Sequence, residues 1–457
     1  MIPKIIYKTL SLSTILLLSG CNSYLSPQPT IDNANSSIKT PKRYTNSSNT
    51  AKVKDGWLKD FRDAKLISLV DMAQKNNPNL QLAAANVEQA ASLLKLSQSN
   101  LYPNLDFRGS YQFRNYETLK HHDIGNFVFS INWEADIWGK LSNAKQRDYE
   151  YMMSQEALYC YARESLSANT AKAWFLINSD KMIYNFNKKL VKIQKNARDI
   201  IAKRVDIGQG NKRDLHMIQG MLAQAQDSSI ASLQTLQTDT RALEILVGKY
   251  PSNSIKTTHL PHLPYKVPTS IPLELLNQRA DIISAKYQVA SAFHDVAVAK
   301  KLRLPTISIN LQSGYDVLQD SISKAIGNIF MPIFDAGAVQ SRIDNATAKQ
   351  KAAIANYKAT VLQAYKEVED ALANERLLAQ RYRYISTMTR EFKQAYDMSE
   401  ENYKVGQGTL LDVLQVQTQW INARIAKIEI QKARLLNRVN LYLALGGHYS
   451  ARKAKHR

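Results

Sequence analysis

Residues 205–219, VDIGQGNKRDLHMIQ, and residues 404–417, KVGQGTLLDVLQVQ, carry one pattern written twice. Gly208 aligns with Gly406, Gly210 with Gly408 and Asp214 with Asp412, each 198 positions apart. Downstream, EILVG ending at Gly248 matches LALG ending at Gly446 with the same offset. Upstream, NLYPNLDFRGSYQF is similar to RLPTISINLQSGY, with Pro103 opposite Pro305. A repeat of this length sets the architecture before any single element is read. At roughly 150 residues per domain, 457 residues suggest three domains. The repeat replaces that count with two copies of one unit, 57–248 and 279–447. The stretch 249–278 joins them, and it holds five of the thirteen prolines, so it reads as an extended linker.

Each copy predicts the same series. A helix (78–100; 280–302) runs through a proline into a strand, a loop and a second strand. A helix of about 65 residues follows (140–204; 338–402), then a glycine-containing turn and a helix of about 35 (212–246; 411–445). The long helix would reach roughly 100 Å at 1.5 Å per residue. Only 16 Gly and 13 Pro leave such helices unbroken. From 354 a 3,4 spacing runs through Ile354, Tyr357, Val361, Ala364, Val368, Ala371, Glu375, Leu378, Tyr382, Ile385, Thr389, Phe392, Tyr396, Ser399 and Tyr403. Twelve of these fifteen are apolar, which predicts one seam buried along the whole helix, as in a coiled coil or a long bundle helix.

The strands alternate. Leu105, Phe107, Tyr111 and Phe113 interleave with Asp106, Arg108, Ser110 and Gln112, and Phe127, Phe129, Ile131 and Trp133 with Ser130, Asn132 and Glu134. In the second copy Ile307, Ile309, Leu311 and Tyr315 interleave with Ser308, Asn310 and Gln312. The fourth strand, through 322–334, alternates poorly and contains Pro332. The same period suits a soluble sheet packed on helices or a sheet crossing a bilayer. Four strands cannot close, since barrels begin near ~8, and open edges cannot face lipid. Strands in a membrane would therefore require association with further copies. Past residue 20 no apolar run approaches the ~18–20 residues of a membrane-spanning helix, which excludes a polytopic helical membrane protein.

At the start, Lys4 and Lys8 flank an apolar core, TLSLSTILLL (9–18), so residues 1–20 read as a secretory signal peptide. Leu18-Ser19-Gly20-Cys21 resembles the bacterial lipobox, which predicts cleavage before Cys21 and a lipid on its sulfur. Asn22 stands where an Asp would signal inner-membrane retention, so outer-membrane sorting is expected. Residues 21–56 then form a lipid-anchored polar segment, and 448–457 a basic tail. Cys160, alone in the mature chain once Cys21 is acylated, reads as a small buried hydrophobe. The eight histidines show no metal-ligand spacing. The net charge of +21 falls to +19 without residues 1–20. Its lysines are spread along helices with no recognition module, as in Lys188, Lys189 and Lys192, and no nucleic-acid partner is expected.

From Gly56 to Gly447 the chain resembles the TolC/OprM-like outer membrane efflux family. GWLKDFRDAKLISLV with NNPNL is similar to the family's opening helices, and Trp133-Glu134-Ala135-Asp136-Ile137-Trp138-Gly139-Lys140 to its strand-to-helix motif. Pro332-Ile333-Phe334-Asp335-Ala336-Gly337 looks like the second copy of that motif, and Leu275-Leu276-Asn277-Gln278-Arg279-Ala280-Asp281-Ile282 like the signature opening the second repeat, with Ala280 where Pro is usual. The lipobox points to the lipoprotein branch. The resemblance implies a mainly α fold with a small β part. Three chains would build one 12-stranded outer-membrane barrel, continued by a long periplasmic α-helical barrel.

It implies further that Trp133, Asp136 and Gly139, with Pro332, Phe334 and Gly337, form the barrel-to-helix junctions. Gly208, Gly210, Gly406 and Gly408 would form the hairpin tips, on backbone that needs glycine's freedom. Asp412, with Asp214 and Gln415, would line a periplasmic pore constriction; the alternative is that Asp412 caps its helix. The Gly-Gln-Gly turns lack the Lys-Ser/Thr of a phosphate loop, and no catalytic set converges, so no enzyme, cofactor or metal is expected. The expected function is a passive exit duct: a homotrimer in outer-membrane lipid that receives drugs or other small molecules from an inner-membrane pump through a periplasmic adaptor. A type I protein-secretion duct or a periplasmic coiled-coil lipoprotein are the alternatives.

Overall fold

The computed structural model describes residues 26–45, 56–116, 119–264, 272–316 and 320–447. The signal peptide, Cys21 and the basic tail lie outside the described residues. In chain order the elements are α1 (Gln28–Ser36), a 3₁₀ turn (Trp57–Phe61), α2 (Ala64–Asn76), α3 (Pro78–Ser99), β1 (Asn104–Tyr116), β2 (Leu119–Ala135), α4 (Lys140–Asp206) and α5 (Lys212–Leu246). They continue with α6 (Pro272–Gln278), α7 (Ala280–Lys301), β3 (Thr306–Asp316), β4 (Asp320–Phe330), α8 (Ala338–Lys404) and α9 (Leu410–Ala444). The two copies match in length: α3 and α7 have 22 residues each, α4 and α8 have 67, and α5 and α9 have 35. All four of the longer helices end on a left-handed glycine, Gly208, Gly248, Gly406 and Gly446. Each has the same pair of closing hydrogen bonds, as in Gly208 N–H to Val205 O and Gln209 N–H to Arg204 O.

Compactness divides the chain into two units, and each draws on both sequence copies. One holds the described residues within Met1–Lys39, Ala84–Leu158 and Asp281–Val361. Its four strands form a single antiparallel sheet in the order β1-β2-β3-β4, so the hairpins of the two copies join through β2 and β3, with Trp133 opposite Ile309 and Ile131 opposite Leu311. Its helices meet through small and polar contacts. Ser154 and Ser284 hydroxyls lie 2.9 Å apart, Ser291 donates to Arg147 O at 2.9 Å, and Val296 and Ala299 pack on Ile343 and Ala346. Asn35 of α1 accepts from the Tyr357 hydroxyl at 2.6 Å, and Ile31 and Ala34 are buried. The segment read as merely polar therefore contains a packed helix, one too short for its periodicity to show.

The other unit holds the described residues within Thr40–Ala83, Tyr159–Ala280 and Leu362–Arg457. Its core is aromatic. Trp57 stacks on Tyr442 with ring centres 5.3 Å apart, Phe61 meets Phe175 at 5.0 Å, and Trp174 and Leu243 are fully buried beside them. The polar edges of these rings are satisfied: Trp174 Nε1 donates to Asp63 at 2.7 Å and the Tyr442 hydroxyl to Asp60 at 2.6 Å. Asp63 also caps α2 by accepting from Leu66 N–H. None of the fifteen seam positions of α8 is exposed. The acidic member, Glu375, faces the buried Arg438 at 2.5 Å, and Arg438 also donates to Pro264 O at 2.6 Å, which holds the linker.

Three expectations are corrected. The linker is not extended throughout, because Pro272–Gln278 is helical, and a proline in the first turn of a helix gives up no intrahelical hydrogen bond. β4 ends at Phe330, so Pro332 follows the strand. Cys160 is half-buried on α4.

Candidate functional site

Paired residues of an antiparallel sheet project to the same face, so the register sorts the strands. One face carries Leu105, Phe107 and Tyr111 of β1, then Phe127, Phe129, Ile131 and Trp133 of β2, then Ile307, Ile309, Leu311 and Tyr315 of β3. Phe107 lies 5.1 Å from Phe129 and parallel to Phe127. This face is uncovered, with Phe107 60% and Phe129 53% exposed. The opposite face is polar and cross-linked. Asn132 donates to Asp106 at 3.1 Å, Ser110 to Asn126 at 2.6 Å, and Asn310 to Asn132.

The poor alternation of β4 has a cause in the register. On the apolar face β4 contributes Ser321, Ser323, Ala325 and Gly327, small residues opposite Tyr315, Ser313, Leu311 and Ile309, and then Ile329 opposite Ile307, while Ile326 lies on the polar side opposite Asn310. β1 and β4 are the sheet's edges, each unpaired on its outer side among the described residues.

The junctions are built around carboxylates. Asp136 accepts from Leu141 and Ser142 N–H, both at 2.8 Å, and so caps α4. Asp335 does the same for α8 by accepting from Gly337 N–H at 3.1 Å and Val339 N–H at 2.7 Å. Gly139 and Gly337 take positive φ in the two turns. Trp133 Nε1 donates to Leu101 O at 3.1 Å and Trp138 Nε1 to Pro305 O at 2.7 Å. Pro332 and Phe334 lie in the turn between β4 and α8, and Phe334 is exposed. Asp335 and Trp138 join these junction residues, and both stand inside the two motifs quoted from the sequence.

The two tips differ in detail. Gly208 and Gly406 have φ of 76° and 80°, where an L side chain is strained. Gly210 and Gly408 do not need positive φ. A Cβ on Gly210 would sit 2.7 Å from the Val205 nitrogen, whereas at Gly408 the nearest atom is 3.5 Å away. Gly210 is thus required by close approach, and Gly408 by neither criterion.

Asp412 is exposed and stands at the third position of α9, in a reciprocal box with Thr409. Its carboxylate accepts from Thr409 N–H at 3.0 Å and Thr409 Oγ1 at 2.6 Å, and those hydrogen bonds hold it below the usual carboxylate range. Asp214 occupies the same place on α5 beside Arg213 at 3.6 Å, but there Asn211 makes the cap. Gln415 is exposed one turn beyond Asp412. Among the described residues no cluster of three or more His, Cys, Asp or Glu could hold a metal ion, and no helix is long and apolar enough to cross a membrane.

Residues 69–249 and 271–447 match the outer membrane efflux protein family. The chain is 24% identical over 469 aligned positions to the solvent efflux pump outer membrane protein SrpC of Pseudomonas putida, covering 97% of this chain and 99% of the relative. It is 25% identical to the probable outer membrane lipoprotein SilC of Salmonella typhimurium, over 96% of this chain and 98% of that one. The CmeC outer membrane channel of Campylobacter jejuni has the same fold, with a TM-score of 0.82 and 24% identity over 88% of this chain and 89% of CmeC. With both repeats inside the matched residues and the strands and helices in the family's order, the chain belongs to the outer membrane efflux protein family and is an efflux channel protein of the outer membrane.

Proposed function

We propose that the chain is the exit duct of a tripartite efflux system: a homotrimer, anchored by lipid on Cys21, that passes drugs, solvents or other small molecules from an inner-membrane pump and periplasmic adaptor to the exterior. The sheet carries this reading. It has two open edges and an uncovered aromatic face, and neither is stable in water or lipid as a single copy. Three sheets joined β1 to β4 give twelve strands, enough to close, with Phe107, Phe129 and Leu311 toward lipid and the Asp106, Asn132 and Asn310 network toward the lumen. Passage is passive; the pump supplies the energy. SrpC is named a component of a solvent efflux pump and SilC a lipoprotein, which supports both halves of the reading. Asp412 and Asp214 would place carboxylates near the tip, where three copies would attract cations.

Deletion of the chain should raise sensitivity to detergents, dyes and antibiotics, and outer-membrane fractions should contain a urea-resistant trimer. A soluble monomer after Cys21→Ser would sink the duct. Unchanged sensitivity after deletion would turn the reading toward protein secretion.

A further inference from the structure

Two arginines one helical turn apart on α9 break the symmetry of the repeat. At its 198-residue offset, Arg434 stands where the first copy has Leu236, and Arg438 where it has Thr240. Leu236 and Thr240 are buried, and Tyr184 packs against the core that holds Leu236. The second copy therefore brings two guanidinium groups to places that the first fills without charge.

Their surroundings differ. Arg438 faces Glu375 at 2.5 Å and donates to Pro264 O at 2.6 Å. Arg434 is half-buried, with its guanidinium carbon 4.7 Å from the centre of the Tyr382 ring. Among the described residues it makes no ion pair or hydrogen bond. The acids on either side are engaged elsewhere, Glu375 with Arg438 and Glu429 with Lys432 at 2.6 Å. An aromatic face attracts a guanidinium but leaves the N–H groups at its edge without acceptors. Arg434 lines a cavity of about 360 Å³ between α4, α8, α9 and the linker. Leu260 and Leu263 of the linker and Leu435 of α9 give it apolar walls, while His259 and His262 bring two exposed imidazoles. No carboxylate among the described residues lines it.

We propose that this cavity binds a small amphipathic anion, a carboxylate or phosphate head on a short apolar body. The head takes the N–H edge of Arg434, with His259 and His262 as further donors, and the body lies on Leu260, Leu263 and Leu435. A guanidinium presents two parallel N–H groups to such a head, a fork that lysine lacks. The volume stands at the lower end of the roughly 300–1,000 Å³ of small-molecule sites, which fits a chain of about eight carbons beside the head. Once bound, the anion fastens the linker to α9 one turn from the contact of Arg438 with Pro264. The site belongs to one chain and requires neither the pump nor the adaptor.

The test uses the full-length chain in phosphatidylcholine nanodiscs, titrated by calorimetry with octanoate and with octyl phosphate, the heat from protein-free discs being subtracted. Both anions should bind saturably, and octanol about tenfold or more weakly. Arg434→Leu installs the residue of the first copy. It should weaken both anions by about tenfold or more, the loss expected for a charge-assisted pair, and leave the Tm of the ligand-free protein unchanged. Arg434→Lys should fall between the two. If Arg434→Leu does not fold, His259→Gln with His262→Gln, at exposed positions, should still weaken octanoate several-fold. Octanoate should also slow hydrogen exchange across 256–263 in the parent but not in Arg434→Leu. Discs containing phosphatidylglycerol separate two sources of the head: displaced octanoate assigns it to a lipid phosphate, and unchanged affinity to a free amphiphile. Absence of saturable binding, equal affinity for octanol and octanoate, or unchanged affinity in folded Arg434→Leu would overturn the proposal.

Discussion

Asp180 on α4 is buried beside Asp239 of α5, and its Oδ2 has no hydrogen-bond partner. Burial first, and then the neighbouring carboxylate, push it far above the ordinary carboxylate range, to about 7. The folded state thus prefers the protonated acid. Stability from this group is full below the ordinary Asp range and is lost as pH rises through about 7. Asp180→Asn should remove that loss: its Tm should exceed the parent's at pH 8 by more than at pH 5, and equal differences at both would refute the assignment. Asp412 poses a second question at this scale, since it caps α9 and is also the expected pore carboxylate. Asp412→Asn keeps an acceptor for Thr409 and removes the charge, whereas Asp412→Ala removes both. If the charge lines the pore, both variants should change cation block in single-channel recordings and only the Ala variant should lower Tm. Normal conductance in both would leave Asp412 a cap alone.

Among elements, the tips set the clearest contrast. Gly210→Ala forces a Cβ into the backbone of α4 at Val205 and should cost about 1–3 kcal/mol, the range for overpacking a closed site. Gly408→Ala meets ordinary contact and should be close to neutral. Thermal unfolding of the two variants, with hydrogen exchange at each turn, would check this, and equal destabilisation would count against it. The fold's elements were legible because the signals repeat: glycine terminates every long helix in the same hydrogen-bonded motif, and the seam of α8 holds its spacing through Glu375. α1 and α6 were not legible, since 9 and 7 residues are too few for a period to show.

For the whole molecule, the proposed homotrimer makes stability of the sheet depend on assembly. Phe129→Lys puts a charge on the face read as lipid-facing, at a cost of about 2–4 kcal/mol per chain near mid-membrane. It should reduce trimer in outer-membrane fractions. Ser130→Lys, next in sequence and on the polar face, should leave the trimer intact. Equal loss from both would mean that the faces are assigned wrongly.

Sequence alone determined the repeat, the lengths of the four longer helices and the alternating faces of β1 to β3, because these rest on local period and on residues that stop a helix. The tertiary structure decided that the two hairpins form one sheet with open edges among the described residues, and that β4 places small residues on the apolar face opposite Ile309 and Leu311. It also decided which glycine is held by close contact and which lysines make no ion pair among the described residues. Register, contact and pairing depend on residues far apart in the chain, and no local pattern records them.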